Sequence, residues 1–129
     1  MNSHILSVAI TDCCLHLDPE QVIMYLPKQV DTREWLQSTQ VRCLTLPALL
    51  AKYGVHELDL LQIDAQGYDY QILKMVDFRN IKPKIIRFEH TNLSALEKGE
   101  CIQLLVSQDY EVVIGRPDMI AFQLRWMYA

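Results

Sequence analysis

The chain has 129 residues, 50% of them apolar and 22% charged, and twelve Lys+Arg against sixteen Asp+Glu give a net charge of −4. Apolar content this high with so small a net charge describes one soluble globular domain with a single core, and excludes a disordered chain. The absence of any basic excess or Lys/Arg block excludes an obvious nucleic-acid binder, so no nucleic-acid partner is expected.

In chain order, His4 to Ile10 (HILSVAI) reads as a buried strand closed by Thr11-Asp12. Residues 13–20 carry no decisive pattern, and Gln21 to Leu26 reads as a further strand stopped by Pro27. Asp31-Thr-Arg-Glu34 has capping-box spacing, which predicts a short helix carrying Trp35 and Leu36 to about Ser38. Val41 to Leu46 (VRCLTL) reads as a strand. Pro47 then stands where a helix can begin, because its missing N–H has no helical partner there in any case. Leu49, Leu50 and Tyr53 share one face of that helix, and Gly54 ends it. Asp59 to Ile63 (DLLQI) is a predicted strand ending at Asp64, and Gly67 precedes a helix from about Tyr68 to Val76 with Ile72, Leu73 and Val76 inward. Lys84 to Phe88 (KIIRF) is the next strand and ends at Glu89-His90. Ser94-Ala-Leu-Glu97 is a second capping box, and Cys101, Leu104, Leu105 and Gln108 form a stripe on the helix that follows. Tyr110 to Ile114, the Gly115-Arg-Pro-Asp118 turn and Met119 to Leu124 read as an antiparallel hairpin.

From residue 41 the order is strand, helix, strand, helix, strand, helix, hairpin. Helical crossovers join parallel strands. The expected fold is therefore α/β, a mostly parallel sheet with a C-terminal antiparallel hairpin at its edge, in one domain spanning 1–129.

The four glycines, Gly54, Gly67, Gly99 and Gly115, are all more than ten residues apart. A P-loop or dinucleotide fingerprint needs closely spaced glycines to admit phosphate, so neither motif is present. Met1 to Ile10 lacks the basic region of a secretory signal. No segment reaches the about 18–20 apolar residues of a membrane span, so a cytoplasmic protein with no membrane partner is expected. Adjacent Cys13 and Cys14, with Cys43 and Cys101, make a poor disulfide framework, and mostly buried thiols are expected.

Ligands of open parallel sheets bind beyond the carboxyl ends of the strands. Two consecutive strands here end in acids, one at Asp64 and the next at Glu89 with His90. Were those strands neighbours, their ends would lie roughly 5 Å apart. Gly67 permits a sharp turn after Asp64, and the amides opening the next helix would favour a partial negative charge. The plainer readings stand beside these. Asp64 is also suited to open a turn and cap a helix, and Glu89 with His90 to a solvated strand end. Tyr68 and Tyr70 suit either a pocket wall or half-buried packing. Cys13-Cys14-Leu-His16 matches no strong metal spacing, and His4 and His56 read as surface residues, so no metal is expected.

The run LTLPALLAKYGVHELDLLQIDAQGYDYQILKMVDF, then KPKIIRFEHTNL and QDYEVVIGRPDMIAFQL, resembles the FkbM family of S-adenosylmethionine-dependent methyltransferases. The match covers about residues 41–124, with a weaker one at SVAITD near residues 7–12, and IDAQGYD is its most specific part. Pro47 stands where the family often has Asp, and Gln62 and Gln66 where Lys and Glu are common. The resemblance implies a partial Rossmann-like methyltransferase fold, with His4 to Ile10 as its third strand. It also implies that the amino-terminal glycine-bearing cofactor loop is missing, leaving the C-terminal portion of such a domain.

By the same resemblance, the donor is S-adenosylmethionine and the acceptor a hydroxyl of a sugar or secondary metabolite. Asp64, Glu89 and His90 are the candidate catalytic residues, and Asp12, Asp64 and Gln66 the candidate cofactor-binding residues. The alternative is a non-catalytic half-domain that forms a homodimer or pairs with a separate N-terminal half, since an unpaired strand edge recruits another chain. A flavodoxin-like binding module ranks behind both, because SVAITDCC has no glycine-bearing or acidic phosphate loop.

Overall fold

A computed structural model describes residues 5–9, as backbone, and residues 43–124. The readings made for 13–42, including the strand at Gln21 and the capping box at Asp31, lie outside the described residues, as does the tail from residue 125. The elements are β1 (Ile5–Ala9), α1 (Leu46–Lys52), β2 (Leu60–Asp64), α2 (Asp69–Leu73), β3 (Ile85–Glu89), α3 (Ala95–Ser107), β4 (Tyr110–Ile114) and β5 (Asp118–Gln123).

Local chemistry explains most of their boundaries. At α3 the Ser94 hydroxyl accepts from the Glu97 amide and the Glu97 carboxylate accepts from the Ser94 amide, so the predicted capping box is formed. At α1 the predicted strand Val41–Leu46 gives way. Residues 43–45 are not in a strand, Thr45 caps the helix by accepting from the Ala48 amide, and Leu46 is already helical. VRCLTL has the alternation of a strand, but a Thr cap followed by Pro in the first turn is the stronger local signal. α1 ends before Gly54, whose φ of +62° few other residues adopt at low cost. Leu50 of this helix is buried, Leu49 is half-buried and Tyr53 is exposed, so burial falls away along the face that the three share.

The five strands are ordered β1-β2-β3-β5-β4. β1–β2 and β2–β3 are parallel, while β3–β5 and β4–β5 are antiparallel. The sheet is therefore mixed, which corrects the expected mostly parallel one. The cause is the returning hairpin, whose second strand inserts between β3 and β4. β1 bonds directly to β2 in register Ile5↔Leu60 through Ala9↔Asp64, the place that the first strand holds in the doubly wound order 3-2-1-4-5-6.

Alternation along the strands sends one set of side chains into the core. Leu61 and Ile63 of β2, Ile86 and Phe88 of β3, and Met119 and Ala121 of β5 are buried. They form one cluster with Leu46 and Leu50 of α1, Leu73 of α2, and Cys101 and Leu105 of α3. Of the two described cysteines, Cys101 is buried in this core, which pushes its thiol up to about 12, whereas Cys43 is exposed. The opposite face carries Gln62, Arg87 and Ile120, of which Arg87 and Ile120 are exposed. Among the described residues no helix is long and apolar enough to cross a membrane.

Phe88 is fully buried, and its truncation to Ala is expected to cost about 3–5 kcal/mol. Gly99 is the opposite case. It sits within α3 and a Cβ added there meets nothing within 4 Å, so Gly99→Ala is expected to stabilise the fold by roughly 0.5–1 kcal/mol. Urea unfolding of both variants measures the two effects.

Candidate functional site

The pairing Ile63↔Phe88 between parallel β2 and β3 sets their last residues, Asp64 and Glu89, side by side. Across the next ladder Glu89 pairs with Asp118 of β5. Three acids thus cross the sheet on three adjacent strands. They line a hollow of about 140 Å³ together with Gln62, Ile63, Arg87 and Pro117. Two larger hollows, of about 370 and 410 Å³, lie elsewhere: one around Lys82 and Tyr110 near the start of β3, the other an apolar groove along α1 that includes His56. Of the three, the smaller hollow is the one lined by the acids at the carboxyl ends of β2 and β3.

The three acids have different surroundings. Asp118 accepts from the Arg87 guanidinium through both Nε and an Nη atom, which neutralises it. Asp64 accepts from Gln66 Nε2 at 3.0 Å. Glu89 is partly buried and within hydrogen-bonding reach of Asp64. Burial pushes its carboxyl above the usual range, and the negative charges of Asp64, Asp69 and Asp118 push it further. Its Oε2 is buried with no partner. The arrangement favours a proton on Glu89.

The loop after Asp64 is shaped by an acid that sequence reasoning passed over. Gln66 and Gly67 have φ of +48° and +102°. Fully buried Asp69 closes this turn, its Oδ1 accepting from the Ala65 amide at 3.3 Å and its Oδ2 from the Gly67 amide at 3.1 Å. Burial raises its carboxyl above the usual range, and these two amides offset only part of that rise. The loop amides are thus already taken by the chain's own carboxylate. A signal existed: an acid two residues after Gly67, at the start of a helix, is placed to close such a turn. Arg87, Asn92 and Asp118 were also missed as site residues, since their neighbours come from separate strands and loops.

The plainer readings can now be compared with the geometry. Asp64 does not cap α2, whose N-cap is Tyr68 with no side-chain cap bond. Glu89 is not a solvated strand end, and His90 is only 9% exposed. His90 Nε2 donates to the Gly115 carbonyl at 2.8 Å, and its backbone amide donates to the Pro117 carbonyl at 3.1 Å. Its Nδ1 is buried without a partner. His90 therefore ties the end of β3 to the β4–β5 turn, outside the lining of the hollow. Tyr68 is exposed, and Tyr70 is half-buried with Lys74 Nζ 4.5 Å from its ring centre. Neither lines the hollow. Exposed His56 agrees with its reading as a surface residue. Asp12, His4, Cys13, Cys14 and His16 lie outside the described residues. Among the described residues no group of three or more His, Cys, Asp or Glu could hold a metal ion.

The family model of the Methyltransferase FkbM domain matches residues 9–112. The chain belongs to the FkbM methyltransferase domain family. No curated protein and no solved structure matches it. The FkbM match contains Asp12, Asp64, Gln66, Glu89 and His90, and it stops before Asp118. β5, which brings Asp118 to the hollow, therefore contributes from beyond the matched span.

The raised Glu89 carboxyl has a consequence for stability. The folded chain keeps this proton at pH values where the unfolded chain has lost it. Stability from this group therefore falls as pH rises from the ordinary glutamate range through the folded value. Relative to the parent, Glu89→Gln is expected to gain stability between about pH 4 and about pH 8. Urea midpoints at the two pH values test this, and an offset independent of pH would show that Glu89 titrates as an ordinary glutamate.

Proposed function

We propose that this chain transfers a methyl group from S-adenosylmethionine to a hydroxyl of a sugar or secondary metabolite. The observation that carries the reading is the meeting of Asp64 and Glu89 at neighbouring parallel strand ends, in one hollow, within an FkbM domain. When bound, S-adenosylmethionine supplies an electrophilic methyl on a positively charged sulfur.

The described residues fit part of that donor. An acid-lined hollow with a buried, partnerless Glu89 oxygen suits a cationic group. Its volume of about 140 Å³ is well below that of a complete small-molecule pocket, so it suits one end of the donor or the acceptor. Asp64 and Gln66 are the described residues assigned to the donor side. The family resemblance adds Asp12 on the adenosine side.

Methyl transfer is an in-line displacement, and the enzyme's share is to position the acceptor and to take its proton. Asp64 is the base in this reading. Gln66 Nε2 donates to it, and its neighbour Glu89 is the carboxyl that burial and nearby negative charge push upward. Glu89 in turn donates to Asp64 or to an acceptor oxygen. His90 takes the orienting role instead of the base role, because its bond to Gly115 fixes the turn that carries Pro117 and Asp118. Arg87 engages Asp118 through two hydrogen bonds at the edge of the hollow.

Calorimetric titration of the chain with S-adenosylmethionine, followed by mass spectrometry of a panel of sugar and polyketide alcohols, tests the reading. Donor binding and a methylated alcohol are expected. Asp64→Asn is expected to lower the transfer rate by about 10²–10⁴-fold, the usual contribution of a general base. A chain that neither binds the donor nor methylates any alcohol overturns the proposal, and an undiminished rate in Asp64→Asn removes Asp64 from its role.

A further inference from the structure

The Asp64 carboxylate is the end of a short run of uncharged side chains. Asn92, in the loop after β3, donates from Nδ2 to Gln66 Oε1 at 3.4 Å. Gln66, in the loop after β2, donates from Nε2 to Asp64 Oδ1 at 3.0 Å. A carboxamide has one accepting end and one donating end. With its oxygen engaged by Asn92, Gln66 must turn its NH₂ towards Asp64. The reversed amide would set an oxygen against a carboxylate.

The backbone at Gln66 gives this contact weight. A non-glycine residue at φ +48° carries strain of about 1 kcal/mol or more, and it stands directly before a glycine at φ +102°. Gln66 is half-buried, and its bond to Asn92 joins the loop after β2 to the loop after β3. The charged groups around the pair leave Asp64 short of other donors. The negative charge of Asp69 at the start of α2 is felt there, Asp118 stands beyond Glu89 on β5, and Arg87 is engaged by Asp118.

We propose that Asn92 and Gln66 are positioning residues, Asn92 fixing the orientation of the Gln66 carboxamide and Gln66 holding the Asp64 carboxylate in place. The proposal rests on the reading of Asp64 as the base that takes the acceptor's proton.

NMR titration of the full chain with ¹³C-labelled carboxyls tests this without donor or acceptor. Gln66→Met is expected to raise the pH at which Asp64 ionises by about one unit, a tenfold change in proton affinity. Asn92→Leu is expected to raise it by less, and to add nothing in the Gln66→Met background, because its effect runs through Gln66. Should Gln66→Met fail to fold, Gln66→Glu keeps the size of the side chain and replaces the donor by a charge, and an upward shift larger than one unit is expected. An unchanged Asp64 titration in the folded Gln66 variant, or an Asn92→Leu shift that persists undiminished in the double variant, overturns the proposal. In the active protein the acid limb of kcat against pH moves with the Asp64 titration while the acceptor KM stays nearly constant. Shifted titrations in a chain that methylates nothing would leave the positioning pair standing and defeat the methyl-transfer reading alone.

Discussion

The in-register parallel pairing of β2 with β3 is the constraint on which both core and site depend. Leu61 lies beside Ile86 and Ile63 beside Phe88, all four on the buried face. The same register sends Gln62, Asp64, Arg87 and Glu89 to the other face. A slip of one residue would exchange the two sets, exposing the apolar side chains and burying the charged ones. Burial of these four side chains, at about 1.5–3 kcal/mol each by transfer from water, is therefore also what holds the two carboxylates together. Hydrophobic burial thus fixes the relative position of two acids that repel each other.

That repulsion is managed group by group. Asp118 is met by Arg87, and Asp69 is satisfied by the amides of its own loop. What is left is Asp64 and Glu89, close together, with one amide donor from Gln66 between them and the rest of the chain. Two carboxyls in contact cannot both ionise as freely as one alone, so the pair retains a proton where an isolated glutamate would not. A pair with one proton and one charge is suited to hold a hydroxyl group and receive its hydrogen. His90 serves the same end at a distance, since it binds the hairpin turn to β3 and so keeps the third acid and its arginine in place.

Much of this was legible in the residues. The ends of β2 and β3 at acids, the Ser94 capping box, the hairpin around Gly115 and the family pattern from IDAQGYD to FEH all follow from local rules of spacing and turn chemistry. The errors share a cause as well. VRCLTL alternates like a strand, yet Thr45 and Pro47 begin a helix within it. The sheet was expected to be mostly parallel because the order of elements was read as the order in space. β5 instead lies inside β4, and that exchange makes two of the four pairings antiparallel. Asp69 was overlooked because an acid at a helix start has an ordinary explanation, and nothing local tells that it is fully buried.

The sequence by itself determined that two strands end at Asp64 and Glu89, that Ser94 caps a helix, and which family the chain descends from, because these depend on contacts within a few positions. Tertiary structure alone decided that Asp64, Glu89 and Asp118 share one hollow, that Arg87 answers only the last of them, and that Asn92 reaches Gln66 across 26 positions of chain. It also decided that His90 is spent on the hairpin and does not line the hollow. These relations belong to neighbouring strands and loops, whose order in the sheet is set by burial of the whole core rather than by any one segment.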